Sequence, residues 1–152
     1  DLPYIFGLDF GSDDPDALVR VAINHKAKTI YLKEEYYQSN TSAESLINIL
    51  DNRCGKFVLI VSDTNERRLR KDIEKAGFNI KGARKTGNAS PVRRIRTIQG
   101  YKLIIEEKSI NLQEALRKYA WHDKKSGTPK HEFSHLPNAF EYAIMDYLDY
   151  GI

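Results

Sequence analysis

Cysteine is almost absent from this chain of 152 residues, where Cys54 stands alone. One thiol excludes an internal disulfide and any zinc site built on several cysteines, suits a reducing compartment, and leaves redox chemistry little to work with. Long apolar runs are missing as well. No stretch reaches the roughly 18 apolar residues of a membrane span, and no charged-then-apolar leader opens the chain, so no membrane role is expected. There is no internal repeat, low-complexity tract or linker, and a hydrophobic content of 41% is ordinary for one domain with a full core. The chain starts at Asp1, directly before an apolar run and without a methionine, which reads as a domain of a longer protein. The last absence is local. Between Lys75 and Lys102 there is no acid, while Lys81, Arg84, Lys85, Arg93, Arg94 and Arg96 all fall there, so one surface is expected to be strongly positive although the net charge is only +3.

What is present is organised around Tyr4-Ile5-Phe6-Gly7-Leu8-Asp9-Phe10-Gly11, an apolar run closed by an acid and a glycine. Such a run reads as a strand buried on both faces, and a carboxylate at its end either caps a turn or meets a cation. A second wholly apolar run, residues 57–61, also ends in an acid after one small residue, Asp63. If the two runs are neighbouring parallel strands, roughly 4.8 Å apart, Asp9 and Asp63 stand side by side at one sheet edge and repel each other unless a divalent metal lies between them.

In chain order, residues 17–23 and 29–37 read as strands, so the first three strands form an antiparallel meander after a turn carrying Asp13, Asp14 and Asp16. Thr41-Ser42-Ala43-Glu44 resembles a capping box and opens a helix that Gly55 stops. After the second buried run come a charged helix over 65–76 and a short parallel strand over 78–80. A small-residue loop over 82–89 leads to a helix over 91–99, which is expected to turn Ile95 and Ile98 inward and its arginines outward. A strand over 101–107, a helix around Leu112 to Tyr119, a hairpin or flexible excursion over 121–133 and a last helix over 135–150 complete the pattern.

This order of elements, with acids closing the first and fourth strands, resembles the ribonuclease H-like pattern: an α/β fold with a mixed central sheet, its first three strands antiparallel and its later strands parallel, and helices on both faces. Across nearly the whole chain it resembles the nuclease domain of the large terminase subunit of tailed bacteriophages. The resemblance rests on Gly7-Leu8-Asp9-Phe10-Gly11, the strand ending at Asp63, the basic loop from Arg84 to Ser90, Tyr119-Ala120-Trp121 before a lysine-rich hairpin, and His135-Leu136-Pro137-Asn138 opening the last helix. It implies a metal-dependent endonuclease that cuts concatemeric viral DNA during packaging. It implies two Mg2+ or Mn2+ ions, Asp9 bridging both, Asp63 holding one and position 138 the other. Its partners would be double-stranded DNA, an N-terminal ATPase domain, the small terminase subunit and the portal, in the host cytoplasm or in a bacterial cytoplasm for a prophage. No Gly-x-x-x-x-Gly-Lys-Ser/Thr loop occurs, so such a motor would lie outside residues 1–152. One position departs from the family: where its motif carries a third Asp, this chain has Asn138, a neutral oxygen donor.

Each of these residues also has a plainer reading. Asp63 could cap the following helix, and Glu66 is either an accessory ligand or an acid favoured at a helix start. Asp13, Asp14 and Asp16 read as solvated loop acids. His135 either touches the scissile phosphate, steers a ligand or caps its helix. Arg93, Arg94 and Arg96, with Arg84, Lys85, Lys124 and Lys125, are expected to hold DNA by its backbone, the alternative being a wet helix face and solvated loops. Three rival functions stay open: a catalytically impaired DNA-binding or motor-docking module, a Holliday-junction-resolvase-like nuclease, and an actin-like kinase or ATPase, which needs two such domains where this chain has room for one.

Overall fold

The computed structural model of the chain describes residues 2–11, 14–83, 91–118 and 135–150. The expected hairpin over 121–133, Tyr119 and most of the loop over 82–89 lie outside them. Six strands form one sheet in the order β5-β4-β1-β2-β3-β6. β1 (Tyr4–Asp9), β2 (Asp16–Asn24) and β3 (Thr29–Gln38) pair antiparallel. β4 (Ile60–Ser62) lies parallel to β1, β5 (Ile80–Gly82) parallel to β4, and β6 (Lys102–Ile105) parallel to β3.

Helices cover both faces. α1 (Ala43–Arg53) and α2 (Arg67–Lys75) close a cluster built on Phe6, Leu8, Leu18 and Ile60. α3 (Pro91–Gln99), α4 (Ile110–Lys118) and α5 (His135–Tyr150) close another on Ile5, Val19, Val21 and Val61. The period of two along β1 accounts for the division: Phe6 and Leu8 face α1 and α2, whereas Ile5, and with it Gly7 and Asp9, face α5.

Several elements are shorter than their sequence signals. The run 57–61 yields only the last two of its residues to β4, and Phe57 is 95% exposed rather than buried. β5 supplies three partners, so the ladder is short, and the carbonyl of Phe57 accepts from the side-chain amide of Asn79 at 3.4 Å instead. α2 starts at Arg67 rather than Asn65, because Asp63 accepts from the Asn65 N–H at 3.2 Å and holds that residue in a turn. Between Leu18 and Val19 the β2–β3 register slips, leaving Glu35 unmatched, buried, and ion-paired to Arg20 at 3.1 Å.

α5 packs on β1 with backbone nearly touching backbone. A Cβ placed on Gly7 would sit 1.7 Å from the carbonyl oxygen of Ala139, so only glycine fits there. Leu136, Ala139, Phe140, Ala143 and Ile144 are buried along that contact. Gly7→Ala must therefore push α5 off the sheet, at a cost of about 3 kcal/mol, or about 10 °C in Tm for a chain of this size. A thermal melt within about 2 °C of wild type would mean that α5 does not approach β1 this closely.

Candidate active site

Two strand ends and one helix start meet at the site. Leu8 pairs with Ser62 in the parallel ladder, so the next residues, Asp9 and Asp63, are neighbours at the same sheet edge. Both are buried, at 5% and 7% exposure. Burial first, and the Asp9 carboxylate second, push the Asp63 carboxyl up to about 7, against the N–H groups of Asn65 and Phe10, which favour its charged form. Asp63 thus does cap the turn before α2, while its other neighbour is a like charge, which a cap does not need.

α5 supplies the other wall. His135 is buried, and its Nδ1 lies 2.8 Å from Asp9 Oδ2. That hydrogen bond raises the His135 pKa against the opposing effect of burial. Its Nε2 lies 3.3 Å from Asp14 Oδ2, so the ring spans from the β1 acid to the loop before β2. Tyr142, seven residues on and on the same helix face, donates to Asp9 Oδ1 at 3.4 Å. Burial, then the charges of Asp9 and Asp63, raise the Tyr142 pKa, so the phenol stays protonated as a donor. Asn138 lies between these two on α5, facing the same way as a residue three past His135 must.

Arg94 is turned inward, contrary to the expectation that the arginines of its helix face out. It is 9% exposed. Its Nε donates to Glu141 Oε1 at 2.9 Å, its Nη2 to Asn138 Oδ1 at 3.3 Å, and its guanidinium stands 5.5 Å from the centre of the Tyr142 ring. The reason is Glu141, a fully buried carboxylate on α5 that must be paired. This also commits Glu141, which as a free acid three residues after Asn138 could have replaced the missing charge. Lys81 also reaches α5, its Nζ 2.8 Å from the buried Asp146, while its side chain stays 42% exposed. Of the expected DNA contacts, Arg93 and Arg96 are exposed, Arg94 is not, and Arg84, Lys85, Lys124 and Lys125 lie outside the described residues.

Glu66 is the half-buried N-cap residue of α2 and makes no side-chain cap; burial first, then the charges of Asp9 and Glu66, raise the Asp16 pKa. Asp16 is not a solvated loop acid. It is buried, starts β2, and accepts from the Gly11 N–H at 2.7 Å, which fixes the loop behind Asp9. Asp13 lies outside the described residues, and Asp14 keeps a 56% exposed side chain. Sequence reasoning missed Tyr142 and the inward Arg94. Tyr142 could have been found from its spacing of seven to His135, whereas nothing local announces Arg94.

The donor chemistry suits a hard divalent cation. Two carboxylates and an amide offer only oxygen, as Mg2+ or Mn2+ prefers, and the repulsion that raises Asp63 is relieved by positive charge between the acids. Among the described residues His, Cys, Asp and Glu form no group of three or more placed to hold a metal.

The Asp63 carboxyl carries a proton in the folded chain at pH values where the unfolded chain has lost it. With chelator present, its contribution to stability is complete below about pH 4 and is lost as pH rises to about 7. Asp63→Asn keeps the oxygen that accepts from Asn65 and removes the charge. Its gain in stability over wild type should grow by about 1–3 kcal/mol between about pH 5 and about pH 8. Melts at both pH values check this, and a gain independent of pH would mean that burial and the neighbouring Asp9 do not raise the Asp63 carboxyl.

The family model for the terminase RNase H-like domain matches residues 9–149. The chain is 28% identical over 147 residues to the PBSX phage terminase large subunit of Bacillus subtilis (strain 168), a match covering 93% of this chain and 34% of that protein. It thus spans about a third of the length of that curated relative. The nuclease domain of the g2p large terminase from bacteriophage SPP1, solved with bound Mn, superposes with a TM-score of 0.81 at 21% identity, over 95% of this chain and 86% of that one. The P22 large terminase nuclease domain gives 0.80 at 17% identity, over 97% and 82%. These likenesses carry the fold, a ribonuclease H-like mixed sheet. The family match begins at Asp9, the first of the paired acids, and runs to the end of α5, so it takes in both strand ends and the helix that faces them: the chain belongs to the terminase RNase H-like domain family.

Proposed function

We propose that this chain is a metal-dependent endonuclease that hydrolyses phosphodiester bonds of double-stranded DNA and cuts concatemeric viral DNA into genome lengths during packaging. The observation that carries the reading is the buried pair Asp9 and Asp63, held together at the sheet edge although the Asp63 charge is disfavoured there. A fold gains no stability from such a pair, whereas a site for a dication requires it. In this reading Asp9 is shared between two Mg2+ or Mn2+ ions, Asp63 holds one, Asn138 the other, and Glu66 is an accessory ligand. When bound, such ions acidify the attacking water and stabilise charge on the leaving 3′ oxygen, giving 5′-phosphate ends. The protein's own groups prepare the place. His135 and Tyr142 fix the two oxygens of Asp9 from α5. Arg94 fixes Asn138. Arg93 and Arg96, with Arg84, Lys85, Lys124 and Lys125, hold the DNA backbone, which implies weak sequence preference and strong salt dependence.

The similarity to a terminase large subunit about three times as long supports a longer protein of which this is one domain; in this reading an ATPase domain precedes it, and the whole works with a small subunit and portal in the host cytoplasm. No described helix is long and apolar enough to cross a membrane. A second reading, a DNA-binding or motor-docking module with weak or lost catalysis, is favoured by the Arg94 bond to the Asn138 oxygen, which leaves position 138 neutral and already engaged.

Plasmid incubated with Mn2+, with chelator as control, separates the two. Asp9→Ala should abolish cleavage without lowering Tm, because it removes one of two crowded charges. Asn138→Asp should tighten Mn2+ binding, measured by calorimetry, and speed cleavage by at least about tenfold, since it adds the missing charge to the ligand set. If neither wild type nor Asn138→Asp cuts DNA, the nuclease reading fails and the binding module stands. If Asn138→Asp neither binds metal more tightly nor cuts faster, position 138 is not a ligand.

A further inference from the structure

The first turn of α2 carries the charge opposite to what a helix prefers there. The nine residues of the helix include Arg67, Arg68, Arg70, Lys71 and Lys75. Arg70 turns inward, and its Nη1 donates to the Asp63 carbonyl at 3.0 Å. The other four are exposed. At about 100° per residue they fall within an arc of about 100°, centred opposite the buried Ile73, with Asp72 and Glu74 displaced to the two flanks. The four cations and Asp72 line one shallow surface hollow. Among the described residues no acid forms an ion pair with any of the four.

Two features of this pattern cost stability. Arg67, Lys71 and Lys75 follow one another at intervals of four, which stacks like charges on one stripe. Arg67 and Arg68 also occupy a first turn that has no acid, against the positive end of the helix dipole. A helix needed only to cover Ile73 gains nothing from either. A surface that meets a polyanion gains from both, because the repulsion is relieved when phosphates arrive. The patch lacks the aromatic or aliphatic anchor that a protein partner would bury, and its outer face is charge alone. Its place also fits. α2 starts four residues after Asp63, so Arg67 and Arg68 stand beside the acid edge, and the helix runs about 13 Å away from it. It lies on the sheet face opposite α3.

We infer that the outer face of α2 is a second contact surface for the phosphate backbone of duplex DNA, on the side of the acid edge away from α3. This rests on the DNA reading of that edge. A duplex over Asp9 and Asp63 is then held from both faces of the sheet, by Arg93 and Arg96 on one and by Arg67, Arg68, Lys71 and Lys75 on the other, and neither set reads bases.

The test is the fourfold variant R67Q/R68Q/K71Q/K75Q, titrated with duplexes of unrelated sequence by fluorescence anisotropy across a salt series, in chelator so that no strand is cut. Affinity at about 0.1 M salt should fall by at least about tenfold, and the slope of log K against log salt should shrink by about 0.9 for each phosphate that the variant no longer neutralises. The Tm of the same variant should hold or rise, since neutralisation removes like-charge repulsion. Binding and salt slope equal to wild type would overturn the inference, whether the face is merely solvated or serves an acidic protein. Should the fourfold variant fold poorly, Lys71→Gln alone gives the same decision on a slope change of about one. Wild type that binds no duplex at all removes the DNA reading of the acid edge together with this surface, whereas wild-type binding beside an unaffected variant removes only the surface.

Discussion

The approach of α5 to β1 at Gly7 is the constraint on which the site depends. Because no side chain separates the strand from the Ala139 carbonyl, the helix axis comes close enough for His135 and Tyr142 to reach Asp9, one turn either side of the contact. A larger residue at position 7 would hold the helix away and leave Asp9 without its two oriented partners. The same geometry commits the chain to burying Glu141 and Asp146 on α5; Glu141 draws Arg94 inward, and Asp146 pairs with the half-exposed Lys81. A packing decision at one glycine is thereby turned into a charge distribution.

That distribution has two regimes. Near Asp9 and Asp63 the chain assembles negative charge with no cation between the two among the described residues, and burial first, the Asp9 charge second, raise Asp63. One helix turn further along α5, at Glu141, it cancels a carboxylate fully with a buried arginine. The contrast separates acids held against their mutual repulsion from an acid paired for the fold. Asn138 sits on the boundary, on the helix face of His135 and Tyr142 but within reach of Arg94, whose guanidinium donates to its amide oxygen. A neutral amide there accepts from the arginine more weakly than a carboxylate would.

The sequence revealed most where its signals are periodic. The two apolar runs closing in Asp9 and Asp63, the antiparallel opening and the last helix were legible because burial on both faces and amphipathic spacing leave marks within a few residues. The ends of β4 and α2 were not, since they depend on the length of β5 and on a turn held by Asp63. The inward turn of Arg94 was illegible for a deeper reason. Within its own stretch it looks like Arg93 and Arg96, and what distinguishes it is Glu141, forty-seven residues away. A run of like charge fixes composition, and only tertiary pairing decides which of its members remain at the surface.

The acid-free stretch therefore overstates the positive surface on α3, and the charged helix α2 understates one of its own. In α2 the acids Asp72 and Glu74 make the sequence look mixed and ordinary, and only the winding of the helix reveals that they stand aside while the cations face out. The stripe is tolerable because the other side of the helix is secured by Ile73 in the core and by Arg70 bonded to the Asp63 carbonyl. Arg70 also ties the helix to the acid edge itself, so any shift of α2 moves the backbone that carries Asp63. The basic helix and the strand end that carries Asp63 are thus joined twice, by the short turn over 64–66 and by the Arg70 hydrogen bond across it.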